Sequence, residues 1–99
     1  MTINKKLNGS ELTISLEGRL DTTTSPQLEK EVNASLTGVS RLVFDLKELS
    51  YISSAGLRVL LSAQKAMNKK GSMLIRNAGS AIMDIFDVTG FSEILTIEE

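Results

Sequence analysis

The stretch Leu42-Val43-Phe44-Asp45-Leu46-Lys47-Glu48-Leu49-Ser50-Tyr51-Ile52-Ser53-Ser54-Ala55-Gly56-Leu57-Arg58-Val59-Leu60-Leu61 decides the fold. Residues 41–46 are mostly apolar and do not alternate, the pattern of a strand buried on both faces. From Ser54 to about Lys69 the period changes to that of a helix. Leu57, Leu60, Leu61, Gln64 and Met67 trace one stripe, and Arg58, Ser62, Lys65 and Lys69 trace the opposite, wet one. A short loop joins the two segments, with Ser53 and Ser54 at the junction. A hydroxyl there faces a helix N-terminus, whose unpaired N–H groups and positive dipole end favour negative charge. A phosphate can be accepted and stabilised at such a place.

Taken alone, a serine before an apolar-periodic segment is an N-cap, worth about 0.5–2 kcal/mol over alanine. Ser54 would then take the N–H of Gly56 or Leu57 and do nothing else. The doubled hydroxyl allows more, since one serine can cap while the other stays free. Gly56 in the first turn costs up to about 1 kcal/mol of helix propensity against alanine. Glycine there leaves backbone open to close approach by another molecule; it is also simply tolerated in a first turn.

Outward from this stretch, residues 11–17 alternate strictly between polar and apolar and read as a half-buried strand. Residues 2–7 form its hairpin partner, with Asn8-Gly9 as the turn, and Gly18 marks a bulge or bend. After the polar loop 21–24, Ser25 reads as an N-cap with Pro26 at the first helical position. That helix runs to about Leu36, with apolar residues Leu28, Val32 and Leu36 spaced four apart. Gly71 closes the middle helix, residues 73–76 make a short strand, and Ser80 caps a third helix to about Val88 that buries Ile82, Ile85 and Phe86. Gly90 stops it, and residues 94–97 give a last strand. The order β-β-α-β-α-β-α-β implies an α/β fold, a mixed sheet covered by helices, as one domain over residues 1–99.

Composition narrows the function. At 99 residues the chain can bury roughly 60–70% of its unfolded surface, enough for one modest core. A net charge of −1 provides no global field toward nucleic acid or acidic lipid, and aromatic residues, at 4%, are too few to stack bases. The strongly apolar runs, residues 59–61 among them, fall far short of a membrane span, and the first residues lack the apolar core of a signal peptide, so a cytosolic location is expected. There is no cysteine, hence no disulfide, and no histidine, the commonest general base and metal ligand. Neither junction serine is followed by lysine at Ser-x-x-Lys spacing, because Gly56 and Leu57 stand there. No glycine-rich phosphate loop is present, and Asp21, Asp45, Asp84 and Asp87 are too scattered to predict a metal site. An enzyme is not expected, nor a cofactor.

Asp21 ends the run Gly18-Arg19-Leu20-Asp21. If this strand neighbours the 41–46 strand in parallel, their C-terminal ends lie together and Asp21 comes near Ser54. It reads equally as an Asx-turn residue leading into Thr22 and Thr23. Asp45 reads as a turn-facing carboxylate.

Three segments carry a family resemblance: Phe44-Asp45-Leu46 through Ser50-Tyr51-Ile52-Ser53-Ser54-Ala55-Gly56-Leu57, then Gly18-Arg19-Leu20-Asp21, and then Ile85-Phe86-Asp87-Val88-Thr89-Gly90-Phe91. Together they resemble the STAS domain family, and within it the bacterial anti-sigma factor antagonists. The resemblance implies a switch protein that binds an anti-sigma factor when unmodified, so that the sigma factor is released. The anti-sigma factor is itself a serine kinase using ATP and Mg²⁺, and a serine phosphatase resets the system. By position the phosphoacceptor is Ser54, with Ser53 as second choice. Asp21, Thr22, Thr23, Ser53, Ser54, Ala55, Gly56 and Arg58 form the implied partner surface. Phosphorylated members look like Asp-Ser-Ser/Thr-Gly at this point, and here Ser53 stands where the Asp would be. The resemblance also leaves a second reading: a STAS adaptor that docks on a transporter or lipid-transport complex without phosphorylation. Neither reading involves nucleic acid or insertion into a membrane, and exposed edge strands allow weak dimers besides the monomer.

Overall fold

A computed structural model describes residues 1–98. Strands β1 (Thr2–Asn8), β2 (Glu11–Leu20), β3 (Arg41–Ile52) and β4 (Ser72–Arg76) lie side by side in chain order. The β1/β2 pair is antiparallel, and β2/β3 and β3/β4 are parallel. The parallel steps run through α1 (Ser25–Ser35) and α2 (Ser54–Asn68), and α3 (Ser80–Thr89) follows β4. Two right-handed crossovers stepping in the same direction put α1 and α2 on the same face of the sheet. Lys5 on β1 confirms the side, since its ammonium lies 2.6 Å from the Glu31 carboxylate on α1.

Leu12, Ile14 and Leu16 of β2, Leu42, Phe44 and Leu46 of β3, and Met73 and Ile75 of β4 point to that face. They form one buried cluster with Leu28, Val32, Leu60, Ala63, Met67, Ile82 and Phe86. The opposite face is not covered as the strand pattern predicts. Thr13, Ser15, Asp45 and Leu74 there are half-buried and Arg41 and Lys47 exposed; only Val43, on the central strand between Thr13 and Leu74, is sealed.

The hairpin turn is Gly9-Ser10 rather than Asn8-Gly9, with Asn8 paired to Glu11. Gly9 has φ +64°, which suits the first position of a type II′ loop. Moving a two-residue turn by one position slips the register by two, and a period-two pattern is the same in both registers.

The larger departure is in β3, which continues to Ile52 where a loop was expected. Against β2 its pairing jumps twice, from Ser15↔Asp45 to Glu17↔Glu48 and from Gly18↔Leu49 to Arg19↔Tyr51. Each jump inserts one extra residue into β3, so each is a bulge. The inward residues Leu46, Leu49 and Ile52, spaced by three, keep step with Leu16, Gly18 and Leu20, spaced by two. Asp45 accordingly lies within the strand and not in a turn. Its Oδ1 accepts from the Lys47 N–H at the first bulge (3.1 Å) and from Asn77 Nδ2 (3.1 Å).

Two helix starts fall one residue earlier than expected, with Thr24 and Gly79 at the N-caps and Ser25 and Ser80 as the first helical residues. The middle helix starts at Ser54 as expected, with Ser53 rather than Ser54 as its N-cap. Ile85 is half-buried rather than buried. The last strand is reduced to one parallel bridge, Ile75↔Ile97. A 3₁₀ turn at Phe91–Glu93 consumes the chain after Gly90, and among the described residues of this segment 96–98 reach the edge of β4, where Ile75 N–H donates to the Thr96 carbonyl and Glu98 N–H to the Ile75 carbonyl (both 2.8 Å).

Candidate functional site

The C-terminal ends of β2 and β3 meet in parallel at Leu20↔Ile52, which brings the two loops of interest together. The Ser53 N–H donates to the Leu20 carbonyl at 2.9 Å, one residue before Asp21. The expectation that Asp21 lies close to the serine junction is therefore met. A single residue, Ser53, separates strand from helix. Its backbone is extended, and its Oγ accepts from the Gly56 N–H at 3.4 Å, a long and weak cap. Ser54 is exposed, and no hydrogen bond to its hydroxyl occurs among the described residues. One serine caps and the other is free. No acidic residue stands in the first turn of α2, so its positive end is uncompensated.

Asp21 is engaged in its own loop. Its Oδ1 accepts from the Thr23 N–H (3.0 Å), the Thr23 hydroxyl (2.7 Å) and the Thr24 N–H (3.1 Å). The Thr24 hydroxyl lies 2.8 Å from the Arg19 carbonyl and 3.2 Å from Asp21 Oδ1, and has one proton for the two. That hydroxyl also accepts from the Asp21 N–H (2.8 Å). The Thr23 hydroxyl and then the Thr24 amide hold the Asp21 carboxyl below the usual carboxylate range; desolvation opposes them less strongly, and the Thr23 amide and Thr24 hydroxyl add smaller contributions. The Asx-turn reading of Asp21 is thus the observed one, and it leaves Thr22 and Thr23 exposed on a fixed loop. Below it, the buried Ser25 donates its N–H (2.8 Å) and its hydroxyl (2.5 Å) to the Asp21 carbonyl.

Gly56 is buried, and it does not leave backbone open to a visitor. A Cβ at this position would lie 2.7 Å from Leu20 Cγ and 2.9 Å from Ile52 Cγ1. The close approach is internal: the missing side chain lets α2 sit down on the ends of β2 and β3.

Two features escape the local sequence patterns. A cleft of about 320 Å³ runs between α1 and α2 from their first turns, lined by Thr22, Ser25 and Pro26 on one side and by Ala55, Arg58 and Lys65 on the other. It brings Thr22, Ala55 and Arg58 of the expected surface together, directly beside Ser54. Ser62 also lines it, which places a Ser-x-x-Lys spacing, Ser62 to Lys65, along its wall. Both side chains are exposed, and no hydrogen bond joins them among the described residues. At the rim of the opposite sheet face, the Arg19 guanidinium lies 4.3 Å from the centroid of the Tyr51 ring, a cation–π contact created by the second bulge, which pairs these residues. Arg19 Nε also lies 3.8 Å from Asp21 Oδ2.

An α/β domain with this strand order, and with an exposed serine opening the helix after its third strand, defines a class, and the family comparison agrees. The STAS domain model matches residues 2–99, and the chain belongs to the STAS domain family. It is similar to the anti-sigma-B factor antagonist of Bacillus subtilis, at 26% identity over 98 residues, covering 98% of this chain and 90% of that protein. The anti-sigma-B factor antagonist of Listeria monocytogenes is 30% identical over 97 residues, covering 95% and 84%. Among solved structures, the Bacillus cell fate determinant SpoIIAA in its phosphorylated form superposes with a TM-score of 0.77 over 99% of this chain and 92% of that one, at 16% identity. That last likeness is one of fold.

Proposed function

We propose that the chain is an anti-sigma factor antagonist whose binding surface is the serine junction with the 21–24 loop, and that phosphorylation of Ser54 switches it off. The observation that carries the reading is the division of labour at the junction: Ser53 caps α2 while the Ser54 hydroxyl stands free at an uncompensated helix N-terminus. The names of the Bacillus and Listeria relatives support the partner class. Ser53 in place of an Asp keeps the capping role, since Ser and Asp cap about equally well.

In the modification, Ser54 Oγ attacks the γ-phosphorus of ATP held with Mg²⁺ by the anti-sigma factor. The Oγ–P bond forms, the bond to the β–γ bridging oxygen breaks, ADP leaves, and the serine proton passes to a base of the kinase. The product carries about −1.5 to −2 charges at pH 7. Within this domain the N–H groups of α2 stabilise that charge. A partner pressed on the junction has to desolvate it, and any acidic group opposite is repelled by up to several kcal/mol. A serine phosphatase restores the binding form.

The test is incubation with the anti-sigma factor of the same cell and Mg·ATP, followed by phosphopeptide mapping. Phosphate on Ser54 together with loss of binding is the expected result. Tight binding of a membrane-transport partner with no phosphate on Ser54 would replace this reading by the adaptor.

A further inference from the structure

Arg58 is exposed on α2 and lines the cleft beside Ser54. Among the described residues it takes part in no ion pair; the four pairs are Lys5–Glu31, Arg19–Asp21, Arg41–Glu11 and Arg76–Glu98. Positions 54 and 58 are neighbours on one helix face, with Cβ atoms about 5–6 Å apart, and a negative group four residues before a positive one is the favourable order. The other charged groups that line the cleft are Glu29, across it on α1, and Lys65; Asp21 precedes the lining residue Thr22 in the adjoining loop. Lys65 is about 16 Å further along the axis and too far to serve position 54. The Asp21 carboxylate is already taken by Thr23 and Thr24.

We propose that Arg58 is the built-in counter-cation of phosphorylated Ser54, closing an i,i+4 ion pair over the mouth of the cleft once the phosphate is in place. This rests on Ser54 being the acceptor, and it adds a specific role for a residue read so far only as part of the surface. Unmodified, the guanidinium is free to meet a carboxylate brought by a visitor. Modified, it is held by the neighbouring phosphate, so the switch withdraws an attractive group as well as adding a repulsive one.

The test uses full chain carrying phosphoserine at position 54 introduced during translation, so that no kinase is needed. Phosphorus NMR then follows the second ionisation of the phosphate in the parent, in Arg58→Gln and in Arg19→Gln. A nearby cation favours the dianion, so Arg58→Gln is expected to raise the midpoint by about 0.2–0.4 pH unit, and Arg19→Gln to leave it in place. In the parent, the Arg58 side-chain Nε resonance moves with the same midpoint. An unchanged midpoint in Arg58→Gln, or a rise in Arg19→Gln alone, overturns the proposal. Because the phosphate is installed without the anti-sigma factor, a failed kinase assay leaves this measurement intact, and a flat titration leaves the kinase assay intact.

Discussion

Ser53 turns its hydroxyl back to the Gly56 N–H, and Ser54, one residue on, offers its own to solvent. Removing each tests a different property. Ser53→Ala takes away a cap whose 3.4 Å length puts it at the weak end of the usual range, and a loss of about 0.5 kcal/mol is expected in urea denaturation. Ser54→Ala should leave stability within about 0.5 kcal/mol of the parent, as surface changes usually do, while abolishing phosphate incorporation. Stability that falls with Ser54→Ala and holds with Ser53→Ala would reverse the two roles. Asp21 provides a second test at this scale. Its folded carboxyl is held below its unfolded value by the hydroxyl and amides of Thr23 and Thr24, so its stabilisation of the loop is present above the ordinary aspartate range. That stabilisation is lost as pH falls through the folded value. The Thr23 and Thr24 amide resonances should therefore titrate with a midpoint under about 3.9. A midpoint at or above that value would mean the carboxylate is not holding the loop.

Among the elements, α2 and β3 show what local patterns report and what they do not. The exposed stripe Arg58, Ser62, Lys65 and Lys69 was legible because a helical period of 3.6 survives any packing. The upper half of β3 was not, because two bulges stretch its inward spacing to three, a period that belongs to neither strand nor helix. The meeting of Asp21 with the serine junction was legible from the order of elements alone, since parallel neighbours end at the same rim. The cleft was not, because it depends on how far apart α1 and α2 settle, which no single-segment pattern encodes. Nor was the orientation of Gly56, because a first-turn glycine reads alike whether it admits a visitor or a neighbouring side chain. Here the neighbours are Leu20 and Ile52, both buried. Gly56→Ala gains at most about 1 kcal/mol of helix propensity and drives a methyl into two packed side chains, at a cost of about 1–3 kcal/mol. A net loss of about 1–2 kcal/mol is expected from chemical denaturation. A variant more stable than the parent would show that α2 can lift off the sheet at no cost.

Across the whole molecule, the proposed switch sits at the rim of a packed sheet, and its electrostatics do not need the sheet to move. Phosphorylation of Ser54 would take the net charge from −1 to about −3, a small change for a long-range field, so the proposed effect on a partner would have to be made at contact. Ser54→Asp tests this with a smaller charge. It should fold as the parent does, with amide shift changes confined to residues near 21–25 and 53–58, and bind the anti-sigma factor at least about tenfold more weakly, some 1.4 kcal/mol. Ionic strength separates contact from field. At 0.15 M salt the screening length is about 8 Å, so a repulsion acting through solvent would fade as salt rises, whereas a desolvated charge in the interface would not. The weakening should therefore persist at about 0.5 M salt, where a field effect would be largely screened. Equal affinity of Ser54→Asp and parent at low salt would remove the electrostatic switch altogether. Shift changes spreading into β1 and α3 would replace it with a conformational one.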